Sequence, residues 1–135
     1  MPVQTYIESI VDATVEEMER DSSVFTMGED LRHSVYGATA GLAERFGEDR
    51  VLDTPLSENG FFGAALGASL CGMRPIVETV TSFLWVGMDQ MISQAAKMRY
   101  ICLEAKQNFL SRSESGCSMQ EVQQLTILIE ITLFL

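Results

Sequence analysis

Two acidic residues stand where this chain could do proton chemistry. The first is Glu58, in "DTPLSENGFFGAALGASLCG", residues 53–72, behind Pro55 and Ser57 and ahead of a run of small and apolar residues. Ser57 reads as an N-cap and Glu58 as a first-turn residue of a helix running to about Leu70. Two roles stay open for it. An acid in a first helical turn complements the helix macrodipole, worth a few tenths to about 1 kcal/mol. Alternatively, the helix is buried and its leading carboxyl points into a cleft, where it can hydrogen-bond or protonate a ligand nitrogen. The second acid is Glu29, in "GED" at the end of the apolar stretch "SVFTM". Acids there are usually plain loop, but the end of a strand is where open α/β sheets bind ligands. Phe83 and Trp85 stand at a later strand-to-helix transition. They are core residues or, at such an edge, a surface for stacking on a heteroaromatic ring.

Other chemistries are excluded. His33 is the single histidine and has no cysteine or carboxylate at ligand spacing, so neither a zinc site nor a His-assisted nucleophile can be drawn. It reads as an exposed loop residue. Cys71, Cys102 and Cys117 form no CxxC pair, which fits reduced thiols in a cytoplasmic setting better than a disulfide framework. Gly60, Gly63 and Gly67 lie inside a helix with no Lys-Ser/Thr after them, so they make a packing surface rather than a phosphate loop. The net charge of −10, with 19 acidic against 9 basic residues, leaves no basic footprint for nucleic acid. The N-terminus has no secretory pattern, and the apolar run at the C-terminus, broken by Glu130, is too short to span a bilayer.

The elements that must position the two acids alternate in type. Tyr6–Arg20 predicts a helix with Ile7, Ile10, Val11, Val15 and Met18 on one face. "SVFTMGED" predicts a short buried strand, "AGLAERFGEDR" a short helix stopped by Gly47, and "RVLDTP" a second strand closed by Pro55. "RPIVETV" predicts a third strand, apolar on both faces as a covered parallel strand is. "FLWVGMDQMISQAAKMRY" predicts a helix with Leu84, Met88, Met91, Ile92 and Ala95 inward. The expected fold class is α/β, a mainly parallel sheet flanked by helices, in one domain.

These pieces, in this order, resemble one family. "MERDSSVFTMGED", "GLAERFGEDRVLDTPLSENGFFGAALGASLCGMRPIVE" and "MDQMISQAAKMRY" are similar to the beta subunit of thiamine-diphosphate-dependent 2-oxoacid dehydrogenases of the pyruvate, acetoin and branched-chain type. The resemblance covers residues 1–100 and implies part of a transketolase-like pyrimidine-binding domain. It implies that Glu58 is catalytic, bonding the aminopyrimidine of thiamine diphosphate and relaying the proton that activates the cofactor. It implies that Glu29, Leu56 and Phe83 lie beside the same ring, Phe83 packing on it. It places magnesium and the diphosphate on a partner alpha subunit, in an alpha2beta2 heterotetramer that hands its acyl group to a lipoyl acyltransferase. Pyruvate is the default 2-oxoacid.

The sequence also departs from that family. "LRHSVYGATAGL" replaces the usual Gly-Gly-Ala/Val-Phe run after "GED", and the segment between Glu78 and Asp89 is one residue short. Residues 101–135 do not continue the pattern. Back-translation of "YICLEAKQNFLS" permits a second frame reading "MSGGKAKLPV", which the family would carry after "MRY". Residues 101–135 are therefore expected to be a frameshifted tail. The competing expectation for function is a catalytically inactive truncated fragment that keeps only subunit-packing surfaces.

Overall fold

The computed structural model describes residues 3–98. The expected tail, 101–135, lies outside the described residues. Helix α1, Tyr6–Arg20, opens on a capping box: Glu8 N–H donates to Thr5 Oγ1 at 3.3 Å, and Thr5 N–H donates to the Glu8 carboxylate at 2.7 Å. Strand β1, Val24–Gly28, leads through a 3₁₀ turn at Leu31–His33 to helix α2, Leu42–Phe46, which Gly47 ends at φ +82°. Strand β2 is Val51–Asp53, helix α3 Glu58–Leu70, and strand β3 Arg74–Glu78. Helix α4, Leu84–Met88, continues through a π-helical stretch, Asp89–Ala95.

The three strands form a parallel sheet in the order β2-β1-β3, so the α/β class expected from the alternation is the observed one. Side chains alternate across it with the strand period of two. Val24 and Ile76 enter one apolar cluster with Met18 of α1, Leu31, Leu42 and Val51. Met27 and Val77 enter the other, with Phe61, Phe62, Ala65 and Leu66 of α3 and Leu84 and Ala95 of the last helix. Burial of each large side chain is worth about 1.5–3 kcal/mol, so the two clusters clamp the sheet from opposite faces. Arg50 ties the first layer together. Its guanidinium donates to the carbonyls of Met18, Asp21 and Val24 and lies over the Phe46 ring, 5.2 Å from the centroid.

The inward face of the last helix differs from the expected one at Ile92, and Met88 is only half-buried and outside the cluster. Leu84 and Ala95 are buried and Met91 packs on their cluster, but Ile92 is exposed. The π-helical stretch widens the turn by one residue. That rotates Ile92 outward while Ala95 and Met98 stay on the cluster. In α1, Met18 is buried as expected, whereas Ile7 near the start of the helix is exposed.

Glycine is required where β1 meets β3. A Cβ on Gly28 would lie 2.4 Å from the Glu78 carbonyl oxygen, which backbone pairing holds in place. Gly67 of α3 has no neighbour within 4 Å of its added Cβ. Gly28→Ala is expected to cost roughly 1–3 kcal/mol, whereas Gly67→Ala should gain about 0.5–1 kcal/mol from helix propensity. Urea unfolding midpoints check both, and equal midpoints would contradict the close packing at Gly28.

Candidate functional site

Strand register assembles the site. Gly28 pairs with Asp53 on one side and Glu78 on the other, so all three strands end at one level. The loops and helix starts that follow those ends carry Glu29, Leu56, Glu58 and Phe83. Glu29 follows β1 directly. Leu56 lies in the loop after β2, Glu58 opens α3, and Phe83 caps α4 after β3. Thr54 N–H donates to the Gly28 carbonyl at 2.8 Å, which stitches the start of the Leu56 loop to the end of β1.

Glu58 is buried at 9% exposure, unusual for an acid heading a helix. Ser57 occupies the N-cap position predicted for it, but its hydroxyl makes no capping bond. Glu58 itself is therefore the acidic group in a first turn whose dipole favours negative charge. Glu29 lies close enough to feel that charge. Burial, and then the Glu58 carboxylate, push the Glu29 carboxyl above its ordinary 4.5; the Ser57 backbone N–H works against this, and Asp30 adds to it. Glu29 Oε1 is buried with no hydrogen-bond partner among the described residues. Leaving such an oxygen unpaired costs about 1–3 kcal/mol. The site thus joins two unlike carboxyls: one placed by a helix terminus, the other raised above its ordinary value chiefly by burial.

Apolar surface stands at the same level. Leu56 is 83% exposed and Phe83 46% exposed, far more than core residues of their type. Trp85 and Val86, one turn on, are also exposed. Among the described residues no group of three His, Cys, Asp or Glu is placed to hold a metal ion. None of the described helices is long and apolar enough to cross a membrane.

Sequence reasoning passed over two residues. Glu78 ends β3 and shares the face of Thr26 and Ile76, across the sheet from α3. There it lines an apolar cleft of about 280 Å³ with Ile7, Ile10, Tyr36 and Ile76. That cleft holds neither Glu29 nor Glu58. Its signal was a polar residue closing an apolar strand. The other residue is Arg32, whose role depends on the register of β2 and has no local signature. His33 is exposed, as read from its lack of partners.

Burial raises the Glu78 carboxyl above its ordinary 4.5. The fold therefore prefers the uncharged form. That preference contributes fully below the ordinary value and is lost as pH rises through the raised one. Glu78→Gln should raise the urea midpoint at pH 7.5 and leave it nearly unchanged at pH 4. A lower midpoint at pH 7.5 would show that the fold needs the charge.

Comparison with known proteins points the same way. The sequence model described as "Transketolase, pyrimidine binding domain" matches residues 3–126. The chain is 52% identical over 103 residues to the 2-oxoisovalerate dehydrogenase subunit beta of Bacillus subtilis (strain 168), covering 74% of this chain and 32% of that protein. It is 47% identical over 100 residues to the pyruvate dehydrogenase E1 component subunit beta of Rickettsia bellii, covering 72% and 31%. The protein of that name in Rickettsia felis is 41% identical over 124 residues, covering 89% and 38%. The chain spans about a third of the length of the curated relatives it matches.

Proposed function

The chain belongs to the transketolase pyrimidine-binding family, and on that premise we propose that it is the cofactor-reading part of a 2-oxoacid dehydrogenase beta subunit. The observation that carries the proposal is the buried first-turn carboxyl of Glu58, with the buried, unpartnered Oε1 of Glu29 at the end of the neighbouring strand. Thiamine diphosphate, when bound, supplies the carbon nucleophile and the electron sink that a 2-oxoacid needs to lose carbon dioxide. This chain's residues act on the aminopyrimidine end. Glu58 hydrogen-bonds the ring nitrogen and exchanges a proton with it, at a position where burial excludes competing water. Glu29, raised first by burial and then by the Glu58 carboxylate, is the acidic neighbour of that exchange. Leu56 and Phe83 hold the ring between apolar surfaces and fix its angle to the acids.

In this reading magnesium and the diphosphate fall to an alpha subunit. The alpha subunit is the first partner in this reading and a lipoyl acyltransferase the second. Branched-chain and pyruvate enzymes both stand among the relatives, and pyruvate is the substrate proposed first.

The test is calorimetric titration of thiamine diphosphate and magnesium into this chain paired with a 2-oxoacid dehydrogenase alpha subunit. A hydrogen bond to a charged group is worth about 1.5–3 kcal/mol, so Glu58→Gln is expected to weaken binding at least about tenfold while the subunits still associate. Equal affinity for wild type and variant would overturn the role of Glu58.

A further inference from the structure

The loop after β1 is held in an uncommon backbone. Asp30 and Ser34, on either side of the 3₁₀ turn Leu31–His33, both take left-handed φ values, 53° and 47°. Each costs about 1 kcal/mol or more for a residue with a side chain and persists only where its surroundings over-determine it. Those surroundings are visible. Leu31 is buried in the α1-side cluster, and its carbonyl accepts the Thr39 hydroxyl at 2.8 Å. Arg32 then reaches across to β2. Its backbone N–H donates to Asp53 Oδ1 at 3.0 Å, its Nε donates to the Val51 carbonyl at 3.1 Å, and a terminal nitrogen pairs with the Glu48 carboxylate at 2.9 Å.

These bonds join the loop that follows Glu29 to β2, the strand that leads into the Glu58 loop. Glu29 lies three residues before Arg32, and Asp53 lies five residues before Glu58. We propose that Arg32 is a positioning residue whose tie to Val51, Asp53 and Glu48 sets the Glu29 loop against the Glu58 loop. The inference rests on the reading of Glu29 and Glu58 as one site. It accounts for how the altered segment "LRHSVYGATAGL" holds that site. The planar guanidinium is suited to this because it offers several donors in fixed directions, which an ammonium cannot.

The test needs no cofactor, so it can fail while thiamine binding stands, and the reverse. Carboxyl-resolved NMR titration and amide hydrogen exchange are recorded on the full chain for wild type, Arg32→Ala, Arg32→Lys and the control Arg20→Ala, whose side chain pairs only within α1. In Arg32→Ala the Thr54 and Ser57 amides should exchange at least about tenfold faster, with α1 and α3 protection within twofold. The Glu29 titration should fall back toward its ordinary value, because burial and the Glu58 charge, its two largest causes, both weaken as the loops part. Arg32→Lys should lie between. Should Arg32→Ala not fold, Arg32→Lys and Asp53→Asn are compared with Arg20→Ala on the same readouts. Titration of Glu29 and exchange of Ser57 indistinguishable from the control would overturn the proposal.

Discussion

The level ending of three parallel strands is the constraint on which the site depends. Gly28 is hydrogen-bonded between partners on both sides, Asp53 on β2 and Glu78 on β3. Because β1 is central, a one-residue slip of either neighbour would move its following loop by about 3.3 Å along the strand. It would also turn every side chain of that strand to the other face. The missing side chain at Gly28 is part of this constraint, since the Glu78 carbonyl occupies the space a Cβ would need. From this one alignment follow the loop of Glu29, the helix start of Glu58 and the turn that presents Phe83.

The alignment is expensive at its functional end and cheap elsewhere. A buried acid at the head of α3 and a second with an unpaired oxygen both oppose folding. What offsets them is apolar packing immediately behind. Phe61 and Phe62 stack with ring centroids 5.3 Å apart, and Ala65 and Leu66 continue the same buried face of α3 onto Val77. A small residue facing α3 serves the same end. Gly87 of the last helix has no room for a Cβ because the Phe62 ring lies against it. Rigid packing thus holds in place a pair of carboxyls whose burial opposes folding.

Much of this was legible from residue order. Pro55, Ser57 and the small-residue run announce the start of α3, and Gly47 announces the end of α2, because caps and breaks are local chemistry. The apolar strands follow from composition alone. Pairing was not legible. Glu29 and Glu58 are far apart in the chain, and their proximity depends on β1 lying beside β2, a sheet order that no local pattern encodes. Arg32 was hidden for the same reason: its acceptors belong to another strand. The outward turn of Ile92 was missed because a π-helical stretch breaks the 3.6-residue period on which the expectation rested. The Ser57 hydroxyl shows the limit of local rules too, since the residue type and position were those of a cap and the bond is not made.

The central claim is that two carboxyls at the strand ends read an aminopyrimidine ring. Titration of the full chain with 4-amino-2,5-dimethylpyrimidine, followed by NMR at assigned backbone and carboxyl signals, tests it most directly. The account predicts saturable shifts concentrated at Glu29, Leu56, Glu58 and Phe83, with those shifts lost in Glu58→Gln. Shifts confined to the cleft beside Glu78, or shifts unchanged by Glu58→Gln, would contradict it.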